Sequence, residues 1–440
     1  MELVISNELN MLAEQFEKLG RNLYVVGGYV RNSLLNIGDT DIDICGAIGC
    51  DGVVKMCHDL GFRAQVVNQK LGTVLISTPN DEQYEYTQFR AESYATGGEH
   101  TPEQVVFIED IKVDAKRRDF TVNSLYYDIT NKQIVDLFGG VNDIKKGVLK
   151  TCQNPEKTFA DDGLRILRLV RFACEYGFKI DSKTFKVAKK VVSNIKDISR
   201  ERVLKEIKTC VVAGFKHNVK QKNHKQIVTL FNKLKVWKYV FNSSFNNFVC
   251  KTKGPVYNAF VNSDGDSRYI AFMCLVLNSY LKAKTTDANL IALVHNLLGG
   301  TGLKDSTKSM QEVLDAYRFA QRVLYDKPAT YINNRSAIGF ELLGFEIKNY
   351  MVLINPNKVN AVKSKVMELR KNNVPFYVSE LNITNEEMIK ELRIKNQYIS
   401  AIKQRLFEMC VDGAIINDNQ VLIEQAKFLN ENIKYNKTNN

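Results

Sequence analysis

The chain has no apolar run of the roughly 18–20 residues that a membrane span requires. Its opening, MELVISNELNMLAEQF, lacks both a basic start and an apolar signal core. A secreted protein is therefore not expected, and a cytoplasmic one is. None of the nine cysteines forms a Cys-x-x-Cys pair; Cys45, Cys50 and Cys57 with His58 come nearest to a cluster. Such scatter predicts buried thiols in a reducing compartment, without disulfides or zinc. Internal repeats are absent too. The composition, 45% hydrophobic and 25% charged, excludes a mostly disordered chain. At 440 residues the chain has material for two to four domains.

What is present is an uneven charge. Residues 1–150 carry 15 Lys and Arg against 22 Asp and Glu, a net of −7. The remaining residues carry 46 against 27, a net of +19. An acidic head on a basic body fits a polyanion-binding protein with carboxylates at its reactive end. The bland alternative is a set of lysines that serves only solubility.

Periodicity divides the chain in the same way. Residues 6–19 read as an amphipathic helix, capped by Ser6 and striped by Leu9, Leu12, Phe16 and Leu19. Leu23–Val26, Asp41–Cys45, Thr73–Ser77, Tyr84–Phe89 and Ile134–Leu137 read as strands. After about residue 155 the strand signals fade, and Gly163–Tyr176 and Ser199–Val212 have helical spacing. The expected fold is an α/β head with a mixed sheet, followed by an all-α remainder. Four segments are expected: a head at 1–150, a helical neck at 151–215, a helical body at 216–350 and a helical tail at 351–440.

The chemistry concentrates in LYVVGGYVRNSLLNIGDTDIDIC, residues 23–45. A strand, two glycines and a helix start let backbone N–H groups approach a phosphate, and they serve a packing turn equally well. Asp41-x-Asp43 adds to this. Two residues apart on a strand point to one face, and two carboxylates side by side repel unless a cation neutralises them. Hard divalent ions such as Mg²⁺ suit oxygen ligands; the alternative is a solvated pair. Arg31 is a further phosphate donor, and Glu85 is a third acid on a probable strand. Arg117–Asp128, RRDFTVNSLYYD, offers two arginines for a triphosphate, with Asp119 and Asn123 for a sugar hydroxyl. In Asp161–Phe172, DDGLRILRLVRF, helical spacing would put Asp162 and Arg165 on one face. An Asp acceptor beside an Arg donor can hydrogen-bond a nucleobase edge, or form an ordinary ion pair. Arg168 and Arg171 continue that helix and suit phosphates or ion pairs.

Taken together, GGYVRNSLL, DID, RRDFTVN and DDGLRILRLVRF resemble, in order and spacing, the motifs of the class II tRNA nucleotidyltransferase and bacterial poly(A) polymerase family. SRERVLKE at Ser199–Glu206 is similar to that family's next helix motif, so the resemblance spans roughly residues 21–212. The stretch from Val378 to Asn417 is similar to the tail of CCA-adding enzymes from low-GC Gram-positive bacteria.

The resemblance implies template-independent addition of C, C and A to the tRNA 3′ end from CTP and ATP. It implies two-metal chemistry, in which cations activate the 3′ hydroxyl and neutralise the leaving pyrophosphate. By the same resemblance Asp41 and Asp43 bind Mg²⁺, with Glu85 as a third catalytic acid. Gly27, Gly28, Arg31, Arg118, Asp119 and Asn123 surround the triphosphate and sugar. Asp162 and Arg165 template the base, and Arg168 and Arg171 are further nucleotide contacts. The partners are the tRNA 3′ end, CTP and ATP, with no membrane; the oligomeric state is left open. Within the enzyme class, a CC-adding enzyme, an A-adding enzyme or a poly(A) polymerase shares these motifs. Outside it stands an RNA-binding protein that has lost catalysis.

This chain departs from the family pattern at several places. Asn32 stands where the family has Asp, and Asp161 where it has Glu. The segment before Pro102 reads Glu99-His100-Thr101 in place of an Arg pair. Lys395-Asn396-Gln397-Tyr398 replaces a Gly-rich turn, and His295 is followed by Asn296 rather than Asp. Gly97 and Gly98, in the polar stretch 91–104, predict a mobile segment that can gate the site, and the resemblance implies a part in the switch from C to A addition; a tolerated surface insertion is the alternative.

Overall fold

The computed structural model describes residues 3–38, 41–94, 102–213, 226–265, 267–281, 285–300, 302–325, 333–390 and 392–438. Of the expected gating loop, residues 91–104, the stretch 95–101 lies outside them, and its two ends lie in the strands Arg90–Ser93 and Gln104–Phe107. Contacts divide the chain into two compact units, Met1–Thr252 with Thr285–Met310, and Lys253–Lys284 with Gln311–Asn440.

The first unit begins with α1 (Asn7–Lys18), whose N-cap Ser6 accepts a hydrogen bond from the Leu9 amide. Its buried face of Leu9, Leu12, Ala13 and Phe16 is the stripe expected from the sequence. Then come β1 (Tyr24–Val26), α2 (Gly28–Leu34), β2 (Asp43–Gly46), α3 (Cys50–Asp59), β3 (Arg63–Asn68), β4 (Thr73–Ser77) and β5 (Gln83–Gln88). A small hairpin of β6 (Arg90–Ser93) and β7 (Gln104–Phe107) leads to α4 (Ile111–Lys116), β8 (Leu125–Asp128), β9 (Gln133–Asp136) and α5 (Gly140–Lys146). Seven strands form one sheet in the order β3-β4-β5-β2-β1-β8-β9. The β2–β5 pair is parallel and the others are antiparallel, so the sheet is mixed. Alternation works as expected in β4, where Val74 and Ile76 are buried.

Strands β3, β6, β7 and β8 were not foreseen. β8 (LYYD) is buried at every position and carries no alternation to read. β3 runs exposed at most positions and has no apolar run. Beyond the sheet lie β10 (Val148–Leu149), α6 (Pro155–Asp161), α7 (Leu164–Tyr176), β11 (Lys179–Ile180), α8 (Ser182–Lys190) and α9 (Arg200–Val212). Asn154 caps α6 with Pro155 in its first turn, and Asp181 caps α8. α7 packs along α9.

Among its described residues the second unit is helical, including Pro255–Asn262, Ser267–Tyr280, Phe345–Ile354, Pro356–Lys371 and Asn396–Val411. Its C-terminal portion closes over a core of Leu381, Ile383, Met388, Ile402, Leu406 and Leu422. All nine cysteines are buried and free. Among the described residues no helix is long and apolar enough to cross a membrane.

Candidate active site

The site starts where β1 runs out. Gly27 turns the chain into α2 with φ +73°, a conformation L side chains rarely adopt. Its amide donates to the Leu125 carbonyl at 3.0 Å. A Cβ on Gly27 would stand 3.5 Å from the Asn123 carbonyl oxygen and 3.8 Å from Arg118 Nη1. The glycine turn therefore brings backbone beside that guanidinium. Gly28 is the first residue of α2.

On the neighbouring strand Asp43 pairs with Val26 of β1 and, in parallel register, with Glu85 of β5. Asp43 and Glu85 are both exposed. Asp41 is exposed too; the strand expected from Asp41 begins at Asp43, so Asp41 lies two residues before β2. Pairing with β1 ends at Val26–Asp43 because Gly27 turns away, and residue 41 has no partner strand in register. The strand neighbours are Asp43 and Glu85. Partial burial, then the Glu85 charge, with a further contribution from Asp41, pushes the Asp43 carboxyl up to about 6, against the pull of Arg118. Carboxylates gathered so that one resists ionisation create a demand for a cation, and the donor set is hard oxygen. Among the described residues no three His, Cys, Asp or Glu groups form a ready cage.

The Arg117–Arg118 pair follows α4. Arg118 Nε donates to the Tyr126 hydroxyl at 2.9 Å and Nη2 lies 3.2 Å from Asp114 Oδ2. Arg117 pairs with Asp114 at 2.8 Å and with Glu92 at 3.2 Å. Against the burial that favours the neutral acid, Arg118 and Arg117 hold the Asp114 carboxyl at about 2.

Asp119 and Asn123 flank a short 3₁₀ turn, Thr121–Asn123. Asp119 Oδ1 accepts from the Phe120 amide at 2.8 Å and from Asn123 Nδ2 at 3.1 Å. Its Oδ2 pairs with Arg168 of α7 at 2.7 Å. Arg31 is buried: it donates to the Asn123 side-chain oxygen, to the Tyr176 hydroxyl at 2.6 Å and to Asn32 Oδ1 at 3.0 Å. Its guanidinium lies 4.4 Å from the Tyr176 ring centroid. Arg31 and Asp119 thus fasten α7 to the sheet domain. Asn32 sits in this same buried network and also accepts from the Tyr176 hydroxyl at 3.2 Å.

Asp162 and Arg165 do not share a helical face. α6 ends at Asp161, Asp162 is extended (φ −153°), and α7 starts at Leu164. Gly163, at the break, packs closely: a Cβ there would lie 2.3 Å from the Asn194 carbonyl oxygen. Asp162 Oδ1 accepts from the Leu164 amide at 2.9 Å, which starts α7. Arg165 donates to the Thr158 carbonyl at 3.2 Å and the Arg117 carbonyl at 2.9 Å. Asp161 accepts from Gln153 Nε2 at 3.2 Å. Arg171 is in ion pairs, with Glu206 at 2.6 Å and Glu175 at 3.4 Å, and lies 4.3 Å from the Phe172 ring centroid.

Sequence reasoning missed the residues that orient these groups: Asp114, Tyr126, Glu92, Arg90 and Tyr176. The one available signal was an Asp four residues before Arg118, helical spacing for a pair. Arg202, in the SRERVLKE helix, has a buried Nη1 without a hydrogen-bond partner, near enough for the Asp162 and Glu206 charges to act on it.

Residues 23–150 match the model of the poly A polymerase head domain. Over 430 residues, 96% of each chain, the sequence is 28% identical to the CCA-adding enzyme of Ligilactobacillus salivarius. It is 36% identical over 203 residues to the CCA-adding enzyme of Enterococcus faecalis, a match spanning 45% of this chain and 48% of that one. Among solved structures, the Bacillus stearothermophilus CCA-adding enzyme in complex with CTP superposes with a TM-score of 0.64 at 18% identity, covering 98% of this chain and all of that one. The Thermotoga maritima CCA-adding enzyme complexed with tRNA(CCA) gives 0.63 at 18% identity, covering 97% and 96%. The structural likenesses carry the fold; in sequence the chain is similar to CCA-adding enzymes, and its residues 23–150 are similar to the poly A polymerase head domain.

Proposed function

We propose that the protein is a CCA-adding enzyme, which builds C, C and A onto the 3′ end of tRNA from CTP and ATP and releases pyrophosphate. The observation that carries the reading is the Arg165 hydrogen bond to the Arg117 carbonyl at 2.9 Å. It ties the start of the base-reading helix to the arginines beside the acidic strand ends. The end-to-end match to a CCA-adding relative supports tRNA as the acceptor.

Asp41 and Asp43, with Glu85 beside them, would hold Mg²⁺, which when bound neutralises charge at the reacting phosphate and lowers the pKa of the attacking hydroxyl. Gly27, Gly28 and Arg118 receive the triphosphate, Arg118 as a fixed positive charge. Asn123 and Asp119 border the sugar. Arg31, Arg168 and Arg171 hold α7 in place, so that Asp162 and Arg165 meet the base edge. Catalysis is then mostly positioning and charge stabilisation. We assign residues 1–150 as the catalytic head, 151–215 as the neck, and 216–350 and 351–440 as the body and tail; these last two bind RNA and carry 32 Lys and Arg against 19 Asp and Glu, a net of +13.

The test is incorporation of labelled CTP into tRNA that ends before CCA, with tRNA affinity measured by filter binding. Asp41→Ala and Asp43→Ala should each abolish incorporation and leave tRNA affinity nearly intact. Near wild-type turnover in either variant contradicts the carboxylate assignment. Tight tRNA binding by the wild type with no Mg²⁺-dependent incorporation would favour the inactive RNA-binding alternative.

A further inference from the structure

Asp114 belongs to none of the motif positions given a role above, yet it is the most connected carboxylate at the site. It lies in α4 and is 1% exposed. Its Oδ1 takes Arg117 Nε at 2.9 Å and the Arg90 amide at 3.3 Å. Its Oδ2 takes the Tyr126 hydroxyl at 2.7 Å and Arg118 Nη2 at 3.2 Å. The Tyr126 hydroxyl in turn accepts from Arg118 Nε, and the Arg118 guanidinium lies 5.1 Å from the Tyr126 ring centroid. Two of the three Arg118 nitrogens are thereby fixed, and the third, Nη1, is the one nearest the Gly27 turn. On the other side of the same carboxylate, Arg117 presents its backbone carbonyl to Arg165.

We propose that Asp114 is a positioning residue for the incoming ribonucleoside triphosphate. One buried carboxylate fixes the arginine that meets the triphosphate. Through the Arg117 carbonyl it also fixes the arginine that reads the base. The proposal rests on the nucleotidyl-transfer reading above. A carboxylate with two arginines makes charge-assisted, directional contacts, so removing its charge loosens both guanidinium groups, leaving Arg117 to Glu92 and Arg118 to Tyr126. Triphosphate affinity and base selection should then fail together. A carboxylate that served only stability would leave both intact in the molecules that fold.

The experiment uses full-length protein with Asp114→Asn, and with Asp128→Asn as control. Asp128 is a buried carboxylate at the end of β8, held by Asn22 and Asn131 rather than by arginines. The readouts are kcat and KM for CTP on tRNA ending before CCA, UTP misincorporation, CTP affinity by calorimetry, and Tm. For Asp114→Asn, KM and the CTP dissociation constant should rise about tenfold, the loss of one charged hydrogen bond. UTP misincorporation should rise as well. Asp128→Asn should lower Tm but keep the wild-type KM. A wild-type KM and CTP affinity in Asp114→Asn overturn the proposal, as does a KM that follows Tm equally in both variants.

Should Asp114→Asn fail to fold, Tyr126→Phe keeps the ring and removes the hydroxyl shared by Arg118 and Asp114. It should weaken CTP binding about threefold or more, and wild-type CTP binding in that variant overturns the proposal. A wild-type protein that neither binds CTP nor extends tRNA overturns the nucleotidyl-transfer reading itself.

Discussion

Replacing Asp119 with Asn tests how α7 is fastened to the sheet domain. Asp119 is buried, which by itself favours the neutral acid; Arg168 and Asn123 nevertheless hold its carboxyl at about 2, against an ordinary value of 3.8. A gap of about two pH units corresponds to about 2–3 kcal/mol of stability for the ionised form. The pKa is depressed in the folded state. Its contribution is therefore complete above about pH 4 and is lost as pH falls from there through about 2. At pH 7 Asp119→Asn should cost about 2–3 kcal/mol, equivalent to about 5–10 °C in Tm for a unit of this size. The assay is thermal unfolding of wild type and variant from pH 7 to pH 3 at constant ionic strength. The Tm difference should hold down to about pH 4 and close below it. In a double-mutant cycle with Arg168→Met the two losses should not add, because they share one ion pair at 2.7 Å. A difference that stays constant with pH, or additive losses, would refute the reasoning.

Three further outcomes follow from the geometry. The Asp43 carboxyl is raised to about 6, so its penalty is absent below about pH 4 and grows as pH rises through 6. Because Asp43 is exposed, screening reduces the effect to about 1 kcal/mol, and Asp43→Asn should raise the Tm of metal-free protein at pH 8 by a few degrees. Mg²⁺ should raise the wild-type Tm and leave that of the variant nearly unchanged; equal Mg²⁺ stabilisation of both contradicts the metal assignment. Gly140→Ala would place a Cβ 2.2 Å from the Thr121 carbonyl oxygen and push α5 off the turn that carries Asn123. It should cost about 1–3 kcal/mol in urea unfolding, and a neutral result would contradict the packing described. Arg165→Ala should raise UTP and GTP incorporation relative to CTP and ATP, by about 1–3 kcal/mol in discrimination. Lower activity at unchanged selectivity would make Arg165 structural.

The sequence carried the sheet domain's main strands because their apolar residues alternate or cluster, as in Thr73–Ser77. It offered the candidate site residues because glycines, acids and arginines recur at motif spacing. β8 stayed hidden because a fully buried strand with two tyrosines has no period, and β6 and β7 because neither has a fully buried position. The Asp162–Arg165 geometry was misread because a 3.6-residue period passes unbroken over Gly163. The helix nevertheless breaks at Asp162–Gly163, where the backbone packs against Asn194 with no room for a Cβ. Arg31 shows a different limit. An arginine near a glycine turn reads as a phosphate donor, yet burial against Tyr176 binds it within the protein, and nothing local in the sequence signals a partner 145 residues away. Asp114 stayed invisible for the same reason, since its worth comes from Tyr126 and two arginines converging in space.

The most direct measurement supplies tRNA ending before CCA with CTP alone, ATP alone or both, in Mg²⁺, and sequences the 3′ ends. The account predicts CC with CTP alone, no extension with ATP alone, and CCA with both. Products that stop at CC with both nucleotides, single A additions confined to tRNA already ending in CC, or runs of A would contradict it.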